Sequence, residues 1–180
     1  MMVWVIAASV AAGIAAHGTA CAQNAVGAGS SPPPNSIVLV DSTGKVAARP
    51  LNDTVMLITI SSGVAAPALI RPIYDGDGRT ASGLATWQSG GSVLFTSSDC
   101  TTGAHVHTST PAGTRATTQV QTSAGIMLYV GAIGTATTVA VRSILYDNGC
   151  SPVTVQQNGL LPVLATINLT TAHPPPLSFQ

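Results

Sequence analysis

The sequence predicts an all-β fold: a single small antiparallel sandwich or barrel-like domain that follows a signal peptide. Three observations predict it. Beyond the N-terminal segment, short apolar and β-branched runs recur roughly every 8 to 15 positions between turn residues, the rhythm of a sandwich or barrel. No later window places apolar residues at helical spacing without an interrupting Gly or Pro, so little helix is expected. Charged residues make up 7% of the 180 positions, far below the roughly 25% of an average soluble domain. Thr and Ser supply the polarity instead, and Thr favours extended backbone because it is branched at Cβ.

The elements follow in order. Residues 3–16 form an apolar stretch with the length of a signal-peptide core, and Ala20-Cys21-Ala22 supplies the small-x-small pattern for cleavage before Gln23. A rival reading makes Cys21 the lipidated first residue of a lipoprotein. Residues 1–22 are therefore expected to be a signal peptide and residues 23–36 a leader rich in Gly, Ser and Pro. The β domain is expected over 37–172. Residues 173–180, with three consecutive prolines that lack N–H donors, are expected to form a tail outside any sheet.

Inside the domain, residues 37–40 and 45–48 flank Asp41-Ser42-Thr43-Gly44, where Asp at the first and Gly at the fourth turn position predict a hairpin. Residues 54–60 form a nearly continuous apolar run, as in a strand buried on both faces. Residues 68–74 lead into the glycine-rich turn Asp75-Gly76-Asp77-Gly78. Residues 84–88 and 92–97 flank Ser89-Gly90-Gly91 and predict a second hairpin. Residues 114–122 are polar almost throughout and predict a solvent-facing edge strand. Residues 125–130 and 137–146 are the strongest later runs, and residues 152–156 and 161–169 close the domain as two more. Trp87, Phe95, Tyr129 and Tyr146 lie in or beside these runs and are expected in the core.

Charge excludes several functions. Six Lys and Arg balance six Asp, and there is no Glu, so no basic surface for nucleic acid or anionic lipid is expected. Past residue 22 the apolar runs are short and interrupted, which predicts no transmembrane helix in the mature chain. Removing the signal peptide leaves two cysteines, Cys100 and Cys150. In an oxidising compartment two lone cysteines of one small domain are expected to bond, closing a loop of about 50 residues.

Two groups have the residue types of a metal site. His105 and His107, two apart on a strand, would share one face, with Asp99 the nearest further ligand in sequence. Asp75 and Asp77 have the spacing that opens a calcium loop but lack its later oxygen ligands. An exposed polar strand and a solvated turn are the expected readings, with no metal and no cofactor. No Gly-x-Ser-x-Gly elbow is present, and the lack of Glu restricts paired-carboxylate chemistry to aspartates.

One resemblance rests on particular residues: Val38-Leu39-Val40-Asp41 with Gly44-Lys45-Val46, Asp53-Thr54-Val55, Leu94-Phe95-Thr96-Ser97 with Asp99-Cys100, and Tyr146 before Gly149-Cys150. Over residues 37–152 the chain resembles a group of uncharacterised exported bacterial β-rich proteins with a V-D-x-x-G-K-V strand, an F-x-S-x-D-C-x-G segment and a second cysteine. Here Cys100 is followed by Thr101-Thr102-Gly103, one residue longer than the pattern. The resemblance implies export, β-structure and the cysteine pair, and no activity.

The expected function is a non-enzymatic module in the periplasm, on the outer surface or outside the cell, structural or ligand-binding, with a protein of the envelope or exterior as partner. The alternative is a secreted hydrolase or metal-dependent enzyme using His105, His107 and an aspartate.

Overall fold

The structure is a computed structural model that describes residues 36–180 except 61–62 and 109–113. The expected signal peptide and all of the expected leader but Ser36 lie outside the described residues.

β1 (Leu39–Val40) and β2 (Val46–Pro50) form the hairpin expected around Asp41 to Gly44. The Gly44 N–H donates to the Asp41 carbonyl at 2.9 Å and the Asp41 N–H to the Lys45 carbonyl at 3.0 Å. Gly44 has φ 84°, a conformation that costs glycine nothing sterically. β3 (Val55–Thr59), β4 (Ala65–Tyr74) and β5 (Ala81–Trp87) continue the meander. β12 (Leu177–Phe179) then lies between β5 and β1 and closes a six-stranded antiparallel barrel.

That closure corrects the expectation for the C-terminus. Within residues 173–180, Leu177–Phe179 is part of the barrel wall, with Leu39 opposite Phe179 and Leu177 opposite Ala85. The prolines, 174–176, precede the strand, so every residue of β12 keeps the N–H that a ladder requires. β3 also differs from its expectation: Met56 and Ile58 are buried while Thr59 is exposed. A barrel wall has one interior face, so even an apolar strand buries alternate residues.

Three hairpins are inserted between β5 and β12: β6 (Val93–Phe95) with β7 (Ala104–His107), β8 (Thr117–Thr122) with β9 (Gly125–Gly131), and β10 (Thr137–Tyr146) with β11 (Gly149–Asn168). They form a second antiparallel sheet in the order β10-β6-β7-β11-β9-β8, and β10 also pairs with β11. Thus residues 89–91 do not turn a hairpin. They carry the chain from the barrel to the second sheet. Gly91 donates to the Gln119 carbonyl at 3.0 Å, and a Cβ there would lie 1.9 Å from Thr118 Oγ1. Glycine is needed for this close approach rather than for a turn.

The runs at 152–156 and 161–169 are one strand of 20 residues. Its register against β10 shifts between the pairs Thr137–Leu160 and Val139–Gln157, and Gly159 at that point has φ 73°. The glycine that suggests a break accommodates an irregularity inside a continuous strand. α1 (Leu169–Ala172) is the short helix that follows, capped by Asn168, whose Oδ1 accepts the Thr171 N–H at 3.0 Å.

The main core combines barrel residues such as Leu39, Met56, Ile58, Ile70, Trp87 and Leu177 with Ile126, Leu128 and Val130 of β9 and Leu169 of α1. One face of β9 is thus packed into the barrel's own cluster. Phe95 is buried with Val93 and Val120, and Tyr129 packs against them half-buried, whereas Tyr146 is exposed. β8 is an edge strand, as expected, yet Gln119 and Val120 are buried. The Leu69 N–H of β4 donates to Gln119 Oε1. Gln119 Nε2 donates to the carbonyls of Leu69 at 3.1 Å and Gln88 at 2.8 Å. One amide side chain therefore serves both backbone polar groups of an outward-facing barrel residue.

Cys100 and Cys150 are joined, with Sγ atoms 2.13 Å and Cα atoms 5.9 Å apart. The bond ties the β6–β7 loop to the start of β11. Cys100 has φ 57°, unusual without a glycine. Ser143 of β10 braces it: its Oγ accepts the Cys100 N–H at 3.0 Å and donates to the Ser97 carbonyl at 2.6 Å.

Candidate functional site

The residues singled out from sequence do not come together. His105 and His107 lie on β7 either side of buried Val106 and share a face as the strand period requires. His105 Nδ1 is 2.8 Å from the Gly103 carbonyl, so that nitrogen carries the proton and donates. Asp99 is occupied by Thr101, whose hydroxyl donates to Oδ1 at 2.7 Å. Those bonds hold the Asp99 carboxyl below its ordinary range.

Asp75 and Asp77 build the β4–β5 turn. The Asp75 carbonyl accepts the Gly78 N–H at 2.8 Å. Asp77 Oδ1 accepts the N–H groups of Arg79 and Thr80 at 2.8 and 2.9 Å, and its Oδ2 accepts the Thr80 hydroxyl at 2.7 Å. Led by those from Thr80, these bonds hold the Asp77 carboxyl at about 2. Its oxygens thus shape a loop. Among the described residues, no three His, Cys, Asp or Glu side chains gather as ligands for a metal ion.

What the fold does assemble is a pair that sequence spacing does not announce. His173 Nδ1 lies 3.2 Å from Asp41 Oδ2, across 132 positions of chain. Asp41 is buried at the β1–β2 turn, where its Oδ1 also accepts the Thr43 N–H at 2.9 Å, the Thr43 hydroxyl at 2.6 Å and the Lys45 N–H at 3.1 Å. Burial alone would raise the carboxyl. The bonds from Thr43, Lys45 and His173 outweigh it and bring the group down to about 2. An ionised carboxylate only accepts, so His173 Nδ1 carries a proton and Nε2 is the ring's remaining nitrogen.

Backbone contacts hold the histidine in place. Its N–H donates to the Leu169 carbonyl at 2.9 Å, and its carbonyl accepts Trp87 Nε1 at 2.9 Å. The next residue, Pro174, accepts the Ser42 N–H at 3.0 Å. Asp41 and His173 thus clasp the C-terminal segment to the first turn just before β12 closes the barrel.

His173 also lines a groove of about 620 Å³ together with Lys45, Arg49, Thr59, residues of β2 and the outward-facing side chains of Leu57 and Ala65. The register of β2 slips against β1, from Leu39–Ala48 to Val40–Val46, a β-bulge that bends the strand at the groove. In the sequence His173 stands at the head of a proline-rich tail, with nothing local to bring it to Asp41. The available signal was the alternation of Leu177 and Phe179 about Ser178, which marks a strand beyond the prolines. Imidazole beside carboxylate is the arrangement of a hydrolytic triad, but among the described residues the side-chain partner of the His173 ring is Asp41. The geometry is that of a clasp at the wall of a groove.

No family model, curated protein or solved structure matches the chain. Among the described residues no helix is long and apolar enough to cross a membrane.

Proposed function

We propose that this chain is an exported, non-enzymatic β module, related to the exported bacterial group it resembles, that works in the cell envelope or outside the cell by holding a partner or ligand. The observation that supports export is the bonded pair Cys100 and Cys150, because such bonds persist in oxidising compartments and are rare in the cytosol. The low charge fits a surface whose polarity comes from hydroxyls. A hydrolase built on His105, His107 and an aspartate gains no support from the geometry, since His105 is bonded to the Gly103 carbonyl and Asp99 to Thr101.

Expressing the full chain in a bacterium, fractionating the cells and sequencing the N-terminus of the product tests the reading. The expected product leaves the cytoplasm, begins at Gln23 and resists thiol alkylation after denaturation without reductant. A product retained in the cytoplasm with Met1 in place and all three cysteines, Cys21, Cys100 and Cys150, open to alkylation overturns it.

A further inference from the structure

The groove beside the Asp41–His173 clasp concentrates the chain's scarce cations. Of six Lys and Arg in the whole sequence, Lys45 and Arg49 line this one depression, and His173 lines it from the side of the C-terminal segment. Neither Lys45 nor Arg49 is paired with a carboxylate among the described residues. Asp41, the acid bonded to the groove residues Lys45 and His173, is itself buried and also engaged by Thr43. With His173 neutral, these four groups carry a net positive charge. Protonation of the imidazole raises it further.

The rest of the lining is apolar or neutral: alanines of β2, Leu57 and Ala65, with the Thr59 hydroxyl between. Leu57 faces Arg49 across β2–β3, and Thr59 faces Ala65 across β3–β4, so one cation and the apolar floor lie on adjoining positions of the same outer wall. At about 620 Å³ the depression has the volume of a small-molecule site, which falls between roughly 300 and 1,000 Å³. A guanidinium offers a planar fork of donors that matches a carboxylate or phosphate, and an ammonium adds a point charge.

We infer that this groove binds an oxyanion carried on a small apolar body, with Lys45 and Arg49 gripping the charge and the Leu57–Ala65 floor covering the body. The inference deepens the ligand-binding part of the proposed function and rests on it. His173 is the positioning element, its ring fixed by Asp41 so that Nε2 is the nitrogen left for the ligand.

The test is titration of the exported, processed protein with benzoate, benzyl alcohol and inorganic phosphate, followed by amide NMR in low salt. Benzoate is expected to give saturable shifts confined to β2, β3 and the residues around His173, with a Kd of about 1 mM. Benzyl alcohol and inorganic phosphate, each lacking half of the recognised chemistry, should bind at least about tenfold more weakly. Raising salt from about 20 to about 200 mM should weaken benzoate several-fold, because the cations are exposed and screened.

The double variant Lys45→Gln, Arg49→Gln should lose at least about tenfold in benzoate affinity. Should it fold poorly, Thr59→Asp places a carboxylate in the same groove from an exposed position and should abolish binding. The proposal is overturned if benzoate gives no saturable shifts, if the alcohol or phosphate binds as well as benzoate, or if the variants bind like the wild type. Correct export and processing alongside such a result would leave the module reading in place and remove only the groove.

Discussion

Replacing Cys100 and Cys150 together by Ser removes one covalent link and leaves nearly every other contact intact. The two residues are separated by 50 positions, and closing a loop of that length restricts the unfolded chain by about 4 kcal/mol in the chain-entropy model. A compensating gain from relaxing Cys100 is not expected. Its φ of 57° is held by the Ser143 hydroxyl on its N–H, and that brace survives the substitution. For a folded unit of this length about 3 °C accompanies each kcal/mol, so the melting temperature should fall by roughly 12 °C. Guanidinium unfolding of the oxidised wild type, the reduced wild type and the double variant supplies the free energies. The reduced and double-variant proteins should agree. A third protein, Cys100→Gly with Cys150→Ser, should recover up to about 1 kcal/mol, since glycine accepts a positive φ without steric penalty. A difference under about 1 kcal/mol between oxidised and double-variant proteins, with equal denaturant slopes, refutes the reasoning.

Three further outcomes are expected. Gln119→Leu should destabilise the fold by about 2 to 4 kcal/mol in chemical denaturation, because it leaves the Leu69 N–H and the Gln88 carbonyl without the amide, while the Leu69 carbonyl keeps the Gln88 N–H at 3.0 Å; a loss below about 1 kcal/mol would mean that water replaces the amide. Gly103→Ala combines a φ of 68° with a Cβ 1.9 Å from Thr96 Oγ1, and should lower stability by about 1 to 3 kcal/mol, whereas Gly149→Ala, with open space around its Cβ, should show only the backbone part of that loss. Asp41 is ionised in the fold down to about 2 against an ordinary value of 3.8, so its contribution is complete above about pH 4 and disappears as pH falls toward 2; the stability gap between wild type and Asp41→Asn, measured across that window, should close with acid, and a gap that widens would contradict the assignment.

The parts of the fold legible in sequence are those fixed by neighbours along the chain. Asp41 and Gly44 mark the first hairpin because an Asx-type turn is made within four residues. Asp75 to Gly78 mark the β4–β5 turn for the same reason. The cysteine bond is legible by counting once residues 1–22 are read as a signal peptide, since Cys100 and Cys150 then leave one pairing. What stayed hidden depends on distant partners. Gly91 looks like a turn residue, but its requirement is the approach of Thr118 and Gln119. Gly159 looks like a strand end, but β10 alongside absorbs it as an irregularity. The prolines at 174–176 mask a strand whose partners, β1 and β5, lie about 90 or more positions earlier. The groove cations were visible as residues, yet nothing local brings His173 to Lys45.

These distant joints share a chemistry that follows from the composition. With 7% charged residues and no Glu, the chain has little material for ion-pair networks. Its long-range junctions use amides, hydroxyls and single carboxylates aimed at backbone groups. Gln119 joins β8 to the barrel. Ser143 binds the Cys100 loop. Asn168 caps α1 and donates to the Ala124 carbonyl at 2.8 Å. Asp147 accepts the Ser89 hydroxyl at 2.8 Å and the Gln121 N–H at 2.7 Å. The last of these, with Gly91 on the Gln119 carbonyl, occupies polar groups along β8, the edge strand of the second sheet, which would otherwise offer pairing sites to another chain. Because neutral hydrogen bonds are short-ranged and little affected by ionic strength, the fold should hold its stability as salt rises, while ligand binding at Lys45 and Arg49 should not. Opposite salt responses of fold and groove separate the scaffold's physics from the site's.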